Sequence, residues 1–596
     1  MAGDAMRALV LVFIAVTIGC TENATILFVT VSARESVAEA VALEVTSSYE
    51  VDSYEDVLTL SDVAVIAWPT SFVIKAGGRQ GPVEIVVKAV DRDGRPVGHG
   101  RRKATLIPGQ RTDLFVTLDP SDFQVNDRHE HDQIFSLSAT GRQLAAAEDG
   151  RLAAVWEDQA ATLSRYDIWC RLFDDKGAPR TTASGQATSF SASPDGTLYF
   201  DQPAVAMQSG GALDGHFVVT WIRSPKPGGP TEVRSRAFEP DGKPDSSSAA
   251  GKEQLLSAGG ARDPSVPDID VLADGDYVVV WQQRSSTGDL WHVMGRLLDS
   301  HGRPIASPNG QNVPFELASF FSAESASAPT PVVAGGRDGG FLAAWVEQGN
   351  IRATAYGDKS SGFLPRRQRF FVAGQQSGKA RDPSVAAPSS GYAVIWTDGI
   401  GLPDADGTCI RFRRFESSGQ ALEAEYTLNT TTAGDQRHPA LAVQQDGALL
   451  AAWSTSGADI EDPMGGIRGR TLLAHGLPLG ADFRINTTTR GTQEKPSIAA
   501  LSRETFAAVF IDRSLDGPDT QGSGVRGVLL YPDVNPRDGQ IGALCDGDTA
   551  CNMGLRCTLT AGASRCVASC TGPADACPHG GRCMQDPGAT GHGCLY

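Results

Sequence analysis

One motif recurs through the middle of this 596-residue chain: a short apolar run that ends in an aromatic residue. The aromatic anchors stand 51 to 65 residues apart, and a proline-containing strand pattern precedes most of them. A second pattern, with arginine in alternation, follows each anchor. Repeats of this length that hold several short strands are typical of β-propeller blades. The anchors are Trp156, Trp221, Trp281, Trp345, Trp396, Trp453 and Phe510.

The ends of the repeat region predict a closed ring. The last two repeats are preceded by EYTLN (425–429) and DFRIN (482–486), which we interpret as fourth strands of the preceding blades. No such segment follows the last repeat, but DFQVN (122–126) precedes the first. We therefore expect this N-terminal strand to complete the final blade, which removes free sheet edges. Seven anchors predict about seven blades within 121–533, with six or eight left open by the irregular second repeat.

Repeated residues have structural interpretations. We expect the aromatic anchors to fill the space between blades. Cys170 and Cys409 lie in equivalent strands and are interpreted as small buried side chains, neither bridged nor nucleophilic. The alternating arginines are expected to point outward or to pair with carboxylates of adjacent blades: Arg171, Arg236, Arg296, Arg413 and Arg470.

The flanking segments are also rich in β-strand patterns or cysteine. Residues 24–120 contain short β-branched runs separated by turn residues, and resemble a small immunoglobulin-like or transthyretin-like β-sandwich. The whole chain is thus predicted to be all-β, with a sandwich, a propeller and a disulfide-rich C-terminal module. The third segment, 541–596, concentrates eight cysteines, as exported disulfide modules do: Cys545, Cys551, Cys557, Cys566, Cys570, Cys577, Cys583 and Cys594.

The cysteine-rich segment is duplicated, and its CPHGGRC run (577–583) resembles the heart of an EGF-like module. The final cysteine pair of that family is missing, so its calcium and receptor binding are not implied. Eight cysteines allow 105 connectivities. The resemblance implies the pairs Cys545–Cys557, Cys551–Cys566, Cys570–Cys583 and Cys577–Cys594.

The N-terminus predicts export. Arg7 precedes an apolar run (8–18) that is too short to span a bilayer, as in a signal peptide over 1–19. Thr17-Ile18-Gly19-Cys20 resembles a bacterial lipoprotein lipobox. That resemblance implies a lipid on Cys20, an anchor in the membrane and, with Thr21 following, an outer-membrane lipoprotein at the surface or the periplasmic side. A conventional secretory signal is the alternative.

Acidic loops suggest a metal. Lys and Arg total 52 against 70 Asp and Glu, a net charge of −18, which disfavours nucleic acid as a partner. Loops that follow three consecutive anchors are rich in carboxylates, the ligands that calcium prefers. We name calcium as a possible cofactor, although solvated loops explain the same pattern. The candidate ligands are Asp398, Asp404, Asp406, Asp459, Asp462, Asp512, Asp516 and Asp519. His129, His131 and His438 lack a matched third ligand and are interpreted as exposed loop residues.

The sequence predicts a binding protein before an enzyme. No GxSxG or HExxH motif occurs, and SPDGTLYF (193–200) is one residue short of a sialidase Asp box. The chain resembles bacterial surface lipoproteins that carry such domains, which implies a non-catalytic envelope protein binding a surface protein or glycan. The alternative is an exported carbohydrate-active enzyme with its site in the propeller mouth; a purely structural coat protein is a third hypothesis. A convergent pair of buried carboxylates in the channel would favour the enzyme.

Overall fold

A computed structural model describes the chain in segments and divides it between Asp122 and Phe123 into two compact units. For 54–61 and beyond 531, only the backbone is described. The predicted signal and Cys20 lie outside the described residues. Those residues are 25–37, 39–49, 54–61, 65–76, 79–92, 94, 96–135, 141–159, 165–193, 198–246, 249–258, 262–307, 310–321, 328–374, 379–388, 391–399, 407–456, 462–501, 505–515, 519, 522–531, 555–560, 563–570, 582–585 and 592–595.

The first unit is a β-sandwich. Its strands follow one path, β3-β2-β5-β6-β7-β1-β4, in which β1 runs parallel to β7 and antiparallel to β4. Strands β6 and β7 pair at only two positions, so the path folds there into two layers. Alternate residues of both layers share one apolar core. The strands are β1 (Ile26–Ala33), β2 (Ala42–Tyr49), β3 (Tyr54–Ser61), β4 (Thr70–Lys75), β5 (Gly81–Val90), β6 (Pro96–Leu106) and β7 (Arg111–Pro120).

The second unit contains the repeat region, which folds into consecutive antiparallel sheets that we call blades 1 to 7. Blades 1 to 4 comprise β9 (Gln133–Ile134), β10 (Leu144–Ala146), β11 (Leu152–Gln159), β12 (Tyr166–Phe173) and β13 (Phe190–Ser191); β14 (Tyr199–Met207), β15 (Phe217–Ser224), β16 (Glu232–Phe238) and β17 (Gln254–Leu255); β18 (Arg262–Val271), β19 (Tyr277–Arg284), β20 (Leu290–Leu298) and β21 (Phe315–Phe321); and β22 (Val332–Gly335), β23 (Phe341–Glu347), β24 (Asn350–Tyr356) and β25 (Pro365–Phe371).

The last three blades complete the ring. They comprise β26 (Arg381–Ala386), β27 (Tyr392–Asp398), β28 (Cys409–Phe415) and β29 (Tyr426–Thr427); β30 (Asp435–Val443), β31 (Leu449–Ser456), β32 (Ile467–Leu472) and β33 (Pro478–Arg484); and β34 (Gln493–Ala500), β35 (Phe506–Asp512), β36 (Gly524–Leu530) and β8 (Phe123–Gln124). Strand β8 pairs with β36, so the N-terminal strand closes the last blade. The predicted all-β fold, the propeller and this mode of closure are confirmed.

The anchors pack as predicted. With β10 counted as the first strand of blade 1 and β9 as an extra strand beside β11, each anchor lies in the second strand of its blade and is fully buried. Leu144 and Trp156 of blade 1 share a core with Val509 and Leu529 of blade 7, so the closing interface is as apolar as the others. Cys170 and Cys409 are buried thiols in β12 and β28, and burial raises the pKa of Cys170.

The predicted partners of the repeated arginines, carboxylates of adjacent blades, are wrong. Arg171, Arg236, Arg413 and Arg470 turn inward, and each donates to a backbone carbonyl just beyond the outer strand of the preceding blade. For example, Arg470 Nη1 donates to the Leu428 carbonyl oxygen at 2.7 Å. Arg296 donates instead to the carbonyl of Asn312 in its own blade. A short fourth strand leaves its last carbonyls without a sheet partner, and a long guanidinium reaches them.

One asparagine extends the pairing of the closing strand, in which β8 contributes only two paired residues. Asn126 donates to the Gln133 side chain at 3.0 Å and accepts from the Val525 amide at 2.8 Å. The same Asn-x6-Gln device recurs within the ring, where Asn429 donates to Gln436 and accepts from the Ile410 amide.

We expect Asn126→Ala to lower the thermal midpoint more than Asn429→Ala. Each change leaves a buried amide unpaired, at about 1–3 kcal/mol. Only Asn126→Ala also loosens the strand that joins the two ends of the ring. Differential scanning calorimetry of both variants measures the difference, and an equal loss would contradict a special role for the closing strand.

The C-terminal segment also contains strands: β37 (Leu555–Thr560), β38 (Ala563–Cys570), β39 (Arg582–Gln585) and β40 (His592–Leu595), in the order β37-β38-β40-β39. In the backbone register, Cys557 stands opposite Cys566 and Cys583 opposite Cys594. The cysteine side chains lie outside the described part, so the disulfide pairing and the EGF-like module stay predictions. Among the described residues, no helical segment is long and apolar enough to cross a bilayer.

Candidate functional site at the mouth of the channel

The first strand of each blade lines the central channel, and it begins at the face we call the upper face. In blades 2 to 7, a non-glycine residue with a φ of 42° to 57° stands there immediately before a proline. Positive φ is uncommon outside glycine, so each strand starts with a strained bulge. The six residues are Gln202, Val266, Thr330, Asp382, His438 and Lys495. Blade 1 has Gly141 and Arg142 in place of this pair.

Each bulge frees a backbone amide, and for three of the six the preceding blade supplies an acceptor one residue after its anchor, whereas the Val266 amide donates to the Gln202 side chain. Gln282 accepts from the Thr330 amide at 2.9 Å, and the Ser454 hydroxyl accepts from the Lys495 amide at 2.8 Å. In blade 1 the acceptor is Glu157, which binds the Gln202 amide at 2.9 Å. Neutral groups therefore suffice for this structural task, and a carboxyl at 157 is an exception to the repeat.

Glu157 belongs to a pair of carboxyl groups. Its side chain is buried, and it hydrogen-bonds to the carboxyl of Asp201, which is partly exposed. Burial, followed by the charge of Asp201, raises the pKa of Glu157 well above its ordinary range. The Gln202 amide and the Lys495 ammonium oppose this shift without reversing it. Glu157 is therefore an acid that keeps its proton where an ordinary glutamate has lost it.

Three further ionisable groups occupy the bulge position of blades 5 to 7, and the charge of one of them, Lys495, acts on Glu157. Burial lowers the pKa of His438, against the opposing charge of Asp382, so its imidazole is neutral at pH 7. Burial also lowers the pKa of Lys495, whose ammonium donates to the Phe135 carbonyl at 2.9 Å. We call Glu157, Asp201, Asp382, His438 and Lys495 the mouth cluster. It combines a protonated acid, a neutral base and a cation beside one channel opening.

Below the mouth, Arg142 crosses the channel. Its Nη1 lies 3.0 Å from Asp270 Oδ1, its Nε lies 3.6 Å from Asp268 Oδ1, and its Nη2 donates to the Val333 carbonyl at 2.5 Å. Burial raises the pKa of Asp268 to about 6, although Arg142 lowers it. Asp268 and Asp270 also accept the Val333 and Gly335 amides of blade 4. Because Nη2 also donates to the Val385 carbonyl, the group is a satisfied cross-brace that links blade 1 to blades 3, 4 and 5.

The predicted calcium residues that the structure describes are not gathered into one site. Asp404, Asp406, Asp459 and Asp516 lie outside the described residues. Asp398 accepts the Trp396 indole, Asp462 accepts Asn486, and Asp519 accepts Asn126. Asp512 binds Gln493, Ser514 and Arg526. These four belong to three blades, each is held by local hydrogen bonds, and calcium binding stays a prediction.

The predicted histidines are also apart. His129 Nδ1 lies 4.0 Å from Asp519 Oδ2, whereas His438 belongs to the mouth cluster on blade 6. His438 is largely buried, so its interpretation as an exposed loop residue was wrong. Within the described ranges, no three His, Cys, Asp or Glu side chains form a group suited to a metal ion.

Sequence reasoning missed the most informative residues: Glu157, Asp201, Arg142, Asp268 and Asp270. A signal was present in the sequence, because Glu157, Arg142, Asp268 and Asp270 differ in type from the residues at the equivalent positions of the other blades. Glu157 replaces apolar or neutral residues, and Arg142 replaces proline. Departures from a repeat carry information here that the repeat itself does not.

Comparisons with known proteins find similar solved structures at low sequence identity. No family model matches the chain, and no curated protein matches it. Similar solved structures include a Hadza microbial sialidase, Hz136 (12% identity, 73% of this chain and 90% of that chain, TM-score 0.40), and the NanB sialidase from Streptococcus pneumoniae (8%, 86% and 96%, 0.36). The β-propeller domain of the Trilobed protease from Pyrococcus furiosus is a third (7%, 66% and 95%, 0.33).

These comparisons correct one prediction. The similar structures include sialidases, which contradicts the expectation that the chain is not an enzyme. At such identities the likeness concerns the fold alone, so the chemistry has to be argued from the residues of this chain.

Proposed function

We propose that the propeller hydrolyses glycosidic bonds at its upper mouth, with Glu157 as the proton donor. One observation carries the proposal: Glu157 is a buried carboxyl that shares a hydrogen bond with Asp201 and keeps its proton, at a position where neutral residues serve the fold equally well. The criterion set by the sequence was a convergent pair of buried carboxylates in the channel; Glu157 is buried, and its partner Asp201 is partly exposed.

Glycoside hydrolysis needs an acid and a base on opposite sides of the scissile bond. Glu157 protonates the departing oxygen as the bond from the anomeric carbon to that oxygen breaks. A water molecule attacks the same carbon, and its proton passes to a base. The neutral imidazole of His438 suits that role.

Asp201 and Lys495 act on the acid rather than on the sugar. Because Glu157 and Asp201 are hydrogen-bonded, they hold one proton between them and are too close to flank a sugar, which needs about 5 Å or more. Asp201 favours the protonated acid before the reaction. Lys495 favours the anion that forms when the proton has left.

The cellular setting is part of the proposal. The apolar run before Cys20 and the cysteine-rich tail support export, with lipid attachment at Cys20 and residence in the outer membrane. An exported glycosidase meets extracellular or envelope glycans, the partner class that the sequence suggested. Nucleic acid is not an expected partner of so acidic a chain.

The direct test is turnover by the full chain on a panel of glycosides, with sialosides included because sialidases are among the similar structures. Release of free sugar, followed by NMR of the anomeric proton, is the expected result. A parallel series with chelator tests the calcium prediction. Retention of glycans without release on every substrate class would overturn the proposal.

A further inference from the structure

A cavity of about 500 Å³ lies on the other side of Arg142 and opens at the face where the first strands end, the lower face. Its rim carries the exposed side chains of Glu148, Ser209, Arg337 and Gln445. Arg142 and Asp270 form its inner end. The cavity is separate from the mouth cluster, because Arg142 and its partners stand between them.

Small residues keep this space open. In six blades, the first-strand residue that pairs three positions before the anchor is alanine; in blade 3 it is Asp270. All of these alanines except Ala334 line the cavity: Ala145, Ala206, Ala334, Ala386, Ala442 and Ala499. A single carboxylate therefore interrupts an otherwise apolar ring of equivalent positions.

The inner end of the cavity is negative. Asp268 and Asp270 together carry two negative charges when ionised, and Arg142 carries one positive charge. Asp268 is fully buried, whereas 24% of the Asp270 side chain is exposed. Both carboxylate oxygens of Asp270 already have partners. Asp270 therefore acts on a ligand through its negative charge and not as a hydrogen-bond acceptor.

Acceptors come from the backbone. The carbonyls of Val333 and Val385 face the channel, where each accepts a hydrogen bond from Arg142. Strands repeat every two residues, so the carbonyls two positions further on face the same way. Gly335 and Ala387 occupy those positions and line the cavity. A hydrogen-bond donor of a ligand in the cavity therefore meets backbone carbonyls beside the negatively charged inner end.

We propose that this cavity binds a primary ammonium group carried on an unbranched aliphatic chain. The ammonium lies near Asp270 and donates to inward carbonyls, and its methylenes lie along the alanine-rich wall. From the Asp270 level to the Glu148 rim is three residues of strand, or about 10 Å. That depth accommodates a chain of about six carbons, and the site is independent of the proposed hydrolysis.

The test is calorimetric titration of the full chain with n-hexylamine, with hexanoate as a ligand of equal length and opposite charge. Hexylamine is expected to bind and hexanoate not. Asp270→Asn removes the net charge at the inner end and should weaken hexylamine at least about tenfold. Asp274→Asn, the same change on the same blade but outside the cavity lining, should leave the affinity unchanged.

A second variant guards against a general effect of Asp270→Asn on the cross-brace. Ser209→Trp adds bulk at the exposed rim and leaves Arg142 and its partners untouched, so it should block hexylamine without altering thermal stability. Equal binding of hexanoate, no binding of hexylamine at millimolar concentration, or unchanged affinity in both variants would each overturn the proposal.

Discussion

Replacement of Arg142 by methionine is expected to destabilise the propeller by about 3–5 kcal/mol at pH 7.5, the cost of leaving buried charge uncompensated. Methionine retains the aliphatic bulk of the arginine stem and removes the guanidinium. Asp268 then stays fully buried with no cation beside it, and the carbonyls of Val333 and Val385 lose their donor. Urea unfolding at constant pH measures the loss.

The loss should depend on pH, with a defined sign. Burial raises the pKa of Asp268 to about 6 in the folded wild type, from an ordinary value of 3.8. A folded pKa above the unfolded one means that the native state binds more protons in this interval, so stability falls as pH rises through it. Arg142 lowers that pKa, and its removal extends the fall to higher pH. The difference between variant and wild type should therefore shrink as pH drops from 7.5 towards 4.

Arg337→Met is the matched control, since Arg337 is an exposed arginine that also lines the lower cavity and donates to the Gln444 carbonyl at 3.2 Å. It should cost less than about 1 kcal/mol. Arg142→Met with Asp268→Asn should regain part of the lost stability, because the buried charge is gone. A pH-independent loss, or an equal loss in the control, would contradict the cross-brace.

The architecture could be predicted because residue patterns that repeat along the chain specify each blade. Aromatic anchors, prolines and turn residues recur in each repeat, and the match between DFQVN and DFRIN was enough to predict closure by β8. The partners of the inward arginines were not predictable in this way. A guanidinium fits a carboxylate or a carbonyl, and which one it meets depends on how far the fourth strand extends.

The residues of the candidate site could not be predicted from the sequence for a related reason. Arg142 meets Asp270 and Val333 across 128 and 191 residues of chain, and no periodicity reports such a contact. The acidic loops drew attention by density alone, yet Asp398 is the acceptor of its own anchor's indole. Glu157 stands in the run WED. Only the comparison of blades shows that the carboxyl that binds the indole is the one two residues after the anchor, as in Asp398, and that Glu157 is not at that position.

The largest effect on activity is expected from Glu157→Gln. The amide oxygen can still accept from the Gln202 amide, as Gln282 does from Thr330 in blade 3, so the fold should be kept. The proton needed by the departing sugar is lost, which lowers kcat by about 10²- to 10⁴-fold. The measurement is the hydrolysis rate on the best substrate of the panel, together with the thermal midpoint of each protein.

Asp158→Asn supplies the matched control. Asp158 is the adjacent residue on β11, a buried carboxyl whose pKa is likewise raised by burial, to about 6, and it lies on the opposite face of the strand, with Oδ2 3.4 Å from Arg128 Nε. Its amide should leave kcat within about threefold. The wild-type rate should hold well above pH 4.3, where an ordinary glutamate ionises, and fall once Glu157 loses its proton. Wild-type turnover in Glu157→Gln would contradict its role as the acid, and an equal loss in both variants would make the effect structural.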